Sequence, residues 1–359
     1  MFELTSLRAK LQPYLPWHGA RLGFVAAFLI ALFRAKTVNF SELATSFPGR
    51  ALPDSHYKRQ QRFFRHFEVD YTAIAYSVVA LMNIPEPWVL AIDRTEWQVG
   101  QNTFNVLTLG VVHQGIAFPI LWEVTDKPGN SNTDERIALM ERFYELFNDV
   151  RLRCLTGDRE FIGAEWISYL FLDPEPHLRT PFRLRIRASD KLGNGRRCLR
   201  ASVVFADLNP GEQKVLKKRR LLWGRWVYVA ALRLEDGSLM IVATDQAPQS
   251  AIADYALRWP IETLFGIFKS RGFCLEETSL RAPERLKKLF ALLTLALCWA
   301  VLVGAWLNER KPLKMKKHGR LAKSVFRYGF DHIRHIVSNL GQHQQRQDFQ
   351  SAIDFLSCT

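Results

Sequence analysis

Apolar residues recur at helical spacing through the first seventy positions, and the uncharged run 22–33 reads as a buried helix too short to cross a bilayer. FSELATSF follows, with Ser41 placed to cap a short helix and Pro48-Gly49 placed to end it. Next comes a basic segment that carries Lys58, Arg59, Arg62 and Arg65. The pattern predicts a small helical domain over 1–84, of short helices and tight turns that suit docking in a DNA groove. A solvated basic helix face would show the same pattern.

The period changes at Trp88. WVLAID is a short apolar run ending in an acid, FNVLTLGVVH and IAFPILWEV follow as strands, and Gln114-Gly115 sits between the last two as a hairpin turn. ERIALMERFYELF returns to helical spacing, RLRCLTGD supplies a fourth strand, and a helix is expected from about Phe161. FRLRIRA alternates Leu184 and Ile186 with Arg183, Arg185 and Arg187, which predicts a strand with one wet, basic face. Residues 188–246 break the α/β rhythm with VVFADL, a basic run, WVYVAALRL, the turn Asp236-Gly237 and SLMIVAT, and read as an inserted β segment. Helical patterning resumes from about Gln249 through Lys269 and again through 290–307. The expected organisation is a helical domain over 1–84, a catalytic core over 85–187 and 247–308 interrupted by 188–246, and a basic helical tail over 309–359.

Charge narrows the partner. A formal net charge of +14 favours a polyanion, with nucleic acid the default and a ribosome or a lipid surface as rivals. The tail adds Lys311, Lys314, Lys316, Lys317, Arg320, Lys323 and Arg327 with no acid among them until Asp331. Stretch 290–307 carries no charge and, at about 27 Å as a helix, approaches a bilayer's thickness. Basic residues flank both of its ends and no second span accompanies it, so it reads as a central core helix and no membrane is expected. Cys154, Cys198, Cys274, Cys298 and Cys358 are scattered, which supports neither a zinc site nor a disulfide framework, and they read as buried thiols. MFELTSLRAK lacks the order of a signal peptide, so a cytoplasmic, nucleoid-associated protein is expected.

Two acids end apolar strands, Asp93 in VLAIDRTEW and Asp158 in CLTGDREF, where a sheet can present side chains to a shared cleft. Either alone would as readily cap the next turn. A third element is sharper. Tyr255, Arg258, Glu262 and Lys269 lie at relative positions 0, 3, 7 and 14, which on a regular helix fall within about 60° of arc. A hydroxyl, a guanidinium, a carboxylate and an ammonium on one stripe of an otherwise apolar helix make little sense as packing, although Pro260 interrupts the regularity.

The spacing Y-(2)-R-(3)-E-(6)-K, with Asp93 and Asp158 upstream in the same order, resembles the signature of the IS-four family of insertion-sequence transposases. The resemblance covers roughly 85–275. It implies an α/β fold: a ribonuclease-H-like mixed sheet with flanking helices, interrupted by a β-rich insertion and preceded by a small helical DNA-binding domain. It also implies a catalytic triad of Asp93, Asp158 and Glu262 holding two Mg²⁺ ions, for which Mn²⁺ can substitute. Hard cations take carboxylate oxygens, and two of them about 3.5–4 Å apart can serve both the attacking and the leaving oxygen of a phosphodiester exchange. Tyr255, Arg258, Lys269 and Arg159 would hold DNA phosphates, and Trp259, Trp223 or Trp226 could stack on an extruded base. The implied partners are double-stranded DNA, as transposon ends and target, and a second copy of the chain. The implied activity is cut-and-paste transposition. The alternatives are a nuclease that cuts without joining and a DNA-binding repressor descended from a transposase.

Overall fold

The computed structural model describes every residue except 1, 100, 101, 128, 172–179, 318, 320, 341, 342 and 357–359, so Arg320 and Cys358 lie outside it. Five helices open the chain: α1 (Phe2–Leu11), α2 (Gly19–Ala35), α3 (Phe40–Ser46), α4 (Pro53–His66) and α5 (Tyr71–Met82). The cap of α3 is Asn39, whose side chain accepts from the Ser41 and Glu42 N–H groups, and Ser41 lies inside the helix. Asn39 wins because its carbonyl is placed two residues earlier, where the orphan donors of the first turn converge. On α4, His56, Gln60, Phe63 and Phe64 face inward while Lys58, Arg59, Arg62 and Arg65 are exposed.

Strands β1 (Trp88–Val99), β2 (Asn102–His113) and β3 (Ile116–Thr125) form an antiparallel meander. Gln114 and Gly115 both take positive φ, as a tight hairpin turn with the right twist requires. Helix α6 (Thr133–Leu146) starts on a capping box between Asn132 and Glu135 and leads to β4 (Leu152–Gly157), which lies parallel to β1. After α7 (Ala164–Phe171), β5 (Phe182–Ile186) adds parallel to β4.

The next segment carries β6 (Lys191–Gly193), β7 (Cys198–Arg200), α8 (Ala201–Val204), β8 (Gln213–Val215), β9 (Arg220–Leu222) and β10 (Arg225–Arg233). VVFADL, expected as strand, is the end of α8 and a turn. β11 (Leu239–Thr244) follows, pairing antiparallel with both β10 and β5, so the outer strands continue the main sheet. The result is one mixed eleven-stranded sheet in the order β3-β2-β1-β4-β5-β11-β10-β9-β6-β7, with β8 on β10.

Helices α9 (Ala251–Ala256) and α10 (Trp259–Gly266) pack on this sheet, and a π-helical turn, Ile267–Arg271, follows α10. The chain closes with α11 (Pro283–Arg310), α12 (Val325–Ser338) and α13 (His343–Asp354). Helix α11 is long and apolar enough to cross a membrane, yet most of its apolar stretch is buried against β3, α5, α4, α2 and α12. The first and last helices share one core: Phe33 of α2 meets Trp299 of α11 and Phe330 of α12 edge-on or tilted, each at 5.2 Å, and Arg34 Nε donates to the Val337 carbonyl at 2.7 Å. Each such aromatic removed from water contributes about 2–3 kcal/mol, so the two ends of the chain stabilise each other.

Two expectations are corrected by burial. Arg183 does not face water: it is buried beside Asp245 and Asp254, because later parts of the chain bring acids to that face of β5. Of the thiols, Cys154 and Cys298 are buried, Cys274 is half-buried and Cys198 is exposed on β7.

Candidate active site

The parallel pairing of β1 with β4 ends at Ile92 and Gly157, and the next residue on each strand is an acid. Asp158 follows the end of β4, as expected. Asp93 does not end its strand, since β1 runs on to Val99 against β2. It does mark where β1 parts from β4, and adjacent strands about 4.8 Å apart set the two carboxylates side by side. Gly157 allows the strands to close there: a Cβ would meet Leu184 and Phe161 side chains at 3.0 Å and Ile92 at 3.2 Å.

Arg94 and Glu160, which the sequence reading passed over, tie these two strand ends together. Arg94 Nε donates to Glu160 Oε1 at 3.0 Å, and its other nitrogens reach Glu96, Asn105 and Asn130. Glu160 also accepts from the Ser131 N–H at 3.3 Å. The one available signal was the repeat of Asp-Arg at both strand ends, Asp93-Arg94 and Asp158-Arg159. Arg159 itself is exposed.

The four-residue signature does not ride one regular helix. The helix breaks after Ala256, and Pro260 sits in the first turn of α10, where its missing N–H costs nothing. Lys269 lies in the π-helical turn. Even so, the first two side chains reach the strand-end acids, and the third, Glu262, is tied to them through Arg258. The Tyr255 hydroxyl donates to Asp158 Oδ1 at 3.2 Å. Arg258 Nη1 donates to Asp93 Oδ2 at 2.6 Å, and Nη2 donates to Glu262. One guanidinium therefore bridges two of the three candidate carboxylates, and one phenol reaches the third. Lys269 takes a different partner and donates to the Glu96 carbonyl of β1.

Exposure differs across the trio: the Asp93 side chain is 15% exposed and that of Glu262 58%. Burial pushes the Asp93 carboxyl up to about 6, against the pull of Arg258 and the Arg94 N–H, and the like charges of Asp158 and Glu160 push the same way. Burial works against the Arg258 charge, but Tyr255, Asp93 and Glu262 reverse it and hold the guanidinium charged. Burial also raises the Tyr255 hydroxyl and lowers Lys269. Among the described residues no three His, Cys, Asp or Glu side chains are grouped as a preformed metal site. The donor chemistry nevertheless fits a hard cation, because Asp93 and Asp158 put carboxylate oxygens at a spot where like charges crowd a largely buried acid.

Trp259 is exposed next to Arg258, Trp226 is exposed on β10, and Trp223 is half-buried in the β9–β10 turn at positive φ.

No curated protein matches the chain. Among solved structures it is similar to the piggyBac transposase in a synaptic complex with hairpin DNA, with a TM-score of 0.48 and 9% identity over 96% of this chain and 77% of that one. Residues 84–299, more than half of the chain and spanning every candidate residue from Asp93 to Lys269, match the transposase DDE domain, and the chain belongs to that family.

Proposed function

We propose that this chain is a cut-and-paste DNA transposase with a ribonuclease-H-like core, in which Asp93, Asp158 and Glu262 are the catalytic carboxylates. The observation that carries the reading is that Tyr255 and Arg258, from a segment about a hundred residues past Asp158, reach the two acids that stand beside each other past the last β1–β4 rung, with Arg258 also bonded to Glu262. A structural ion pair needs no such set. The mixed order β3-β2-β1-β4-β5, with the Glu contributed by a later helix, supports the core assignment.

Enzymes of this family typically use divalent metal ions. Here Asp93, Asp158 and Glu262 would hold them, with Mg²⁺ the expected ion and Mn²⁺ its substitute; bound, they supply Lewis-acid stabilisation of the attacking and leaving oxygens. The protein's own part is positioning. Arg258, whose planar fork here bridges Asp93 and Glu262, would turn those donors to a phosphate oxygen pair once cations take up the carboxylates, and Tyr255 keeps Asp158 oriented. Lys269 and exposed Arg159 add charge for the neighbouring phosphates, and exposed Trp259 and Trp226 offer faces on which a displaced base can stack, with Trp223 less accessible. The exposed row Lys58, Arg59, Arg62 and Arg65 on α4 would grip the element's end. We infer a homodimer that pairs two ends, acting on chromosomal DNA in the cytoplasm.

The test separates a transposase from a nuclease. Labelled duplex containing the DNA that flanks the coding sequence is incubated with Mg²⁺ and an unlabelled plasmid. Label joined covalently to the plasmid is the expected result. Cut label that never joins would leave only a nuclease, and uncut label over a range of flanks would remove both.

A further inference from the structure

Tyr255 rides on a helix that cannot hold itself. Helix α9 has six residues, and its N-cap Ser250 makes no capping bond to the backbone. A segment of that length is unstable alone, so its position must come from tertiary contacts. Part of the hold is apolar: Ala251, Ile252 and Tyr255 pack on Ala230, Met240 and Val242 of β10 and β11. Such a contact is non-directional and would tolerate a small slide or roll of the helix.

The directional part comes from one carboxylate, the residue before Tyr255. Asp254 is 2% exposed at its side chain and takes bonds from two strands and from its own helix start. Arg153 Nη2 of β4 donates to Oδ1 at 2.5 Å, Arg183 Nε of β5 donates to Oδ2 at 3.2 Å, and Ser250 Oγ donates to Oδ2 at 2.8 Å. Arg183 is itself pinned at the end of β11, by Thr244 Oγ1 at 2.7 Å and Asp245 at 3.7 Å. The two strands that hold Asp254 are also those next to Asp158: β4 ends one residue before it, and Arg185 of β5 comes within 3.9 Å of its Oδ1.

We propose that Asp254, clamped by Arg183 and Arg153, is a positioning residue that fixes the roll of α9 and so aims the Tyr255 hydroxyl at Asp158. This rests on the transposase reading above. The carboxylate touches no reacting atom; it acts through Tyr255, one residue along the chain.

The experiment is a double-mutant cycle on single-turnover cleavage of labelled flank-containing duplex, with duplex affinity and thermal melting measured on the same proteins. Asp254→Asn and Tyr255→Phe should each slow cleavage about tenfold with duplex affinity within about twofold of wild type, and the double variant should be no slower than either single one. A purely structural role for Asp254 would instead multiply the two losses, and that result overturns the proposal, as does a folded Asp254→Asn that cuts at the wild-type rate. If Asp254→Asn does not fold, Arg153→Gln decides in the same cycle, because that side chain is half exposed and its removal leaves Arg183 in place. Its loss of about threefold should vanish in the Tyr255→Phe background, and persistence there overturns the proposal. Asp93→Ala is run alongside. If it cuts like wild type, the catalytic assignment fails; if it is inactive while the cycle is multiplicative, only the positioning role fails.

Discussion

Helices α11 and α12 cross at two glycines, and adding one methyl group there tests how tightly the core is built. A Cβ on Gly329 would lie 1.9 Å from the Ala300 carbonyl oxygen and 2.5 Å from the Gly304 nitrogen. A relaxed contact of this kind needs more than about 3 Å, so the helices would have to part by about 1 Å, loosening Phe326 and Phe330 in the shared core. Because the obstacles are backbone atoms, the strain sits at the upper end of overpacking costs, about 3 kcal/mol. Alanine's better helix propensity returns about 1 kcal/mol, leaving Gly329→Ala destabilised by about 2 kcal/mol. The same change at Gly23 in α2 meets nothing within 4 Å, so Gly23→Ala should gain about 0.5–1 kcal/mol. Urea unfolding followed by far-ultraviolet circular dichroism and by tryptophan fluorescence reads both shifts, and the two probes should coincide if the first and last helices share one cooperative core. Wild-type stability in Gly329→Ala, or a loss in Gly23→Ala as large as that at Gly329, would refute this picture of the crossing.

Removing Lys58, Arg62 and Arg65 together should weaken duplex binding and flatten its salt dependence by about 0.9 per lost phosphate contact, measured by anisotropy across a salt series; Arg59 is left in place because it lies over the Phe24 ring at 5.6 Å. Arg258→Lys keeps the charge but loses the fork that bridges Asp93 and Glu262, so cleavage should fall about 10- to 100-fold with a much smaller change in duplex affinity. Maleimide labelling at pH 8 should mark exposed Cys198 and spare Cys154, whose thiol burial pushes up to about 12, and Cys298, raised by the same cause; the order is read by peptide mass spectrometry.

Local chemistry was readable where it acts over a few residues. The Gln114-Gly115 hairpin, the apolar runs of β2 and β3 and the acid after β4 all follow from neighbouring residue types. The roles of Arg183 and Arg185 were not. Alternation marked the even and odd faces of β5 correctly, but whether the basic face met water depended on Asp245 and Asp254, some sixty to seventy residues away in sequence. Asp93 shows the same limit. Its run of apolar residues suggested a strand end, whereas β1 continues because Thr95 and Trp97 pair onward with β2. In the candidate site, the residue types of the signature were plain, but their geometry was not helical periodicity: Pro260 restarts the helix, and the side chains converge through the bend. Arg94 and Glu160 escaped notice because a surface-type Arg–Glu pair carries no pattern until the fold joins β1 to the loop after β4.

If three carboxylates carry the chemistry, single-turnover cleavage of a flank-containing duplex with Mg²⁺ should separate wild type from Asp93→Asn, Asp158→Asn and Glu262→Gln, with duplex binding measured in parallel. All four proteins should bind and only wild type should cut, with each variant slowed at least a thousandfold, on the order of 4 kcal/mol of transition-state stabilisation. Cleavage at the wild-type rate by any one of the three variants would contradict that role of the carboxylates.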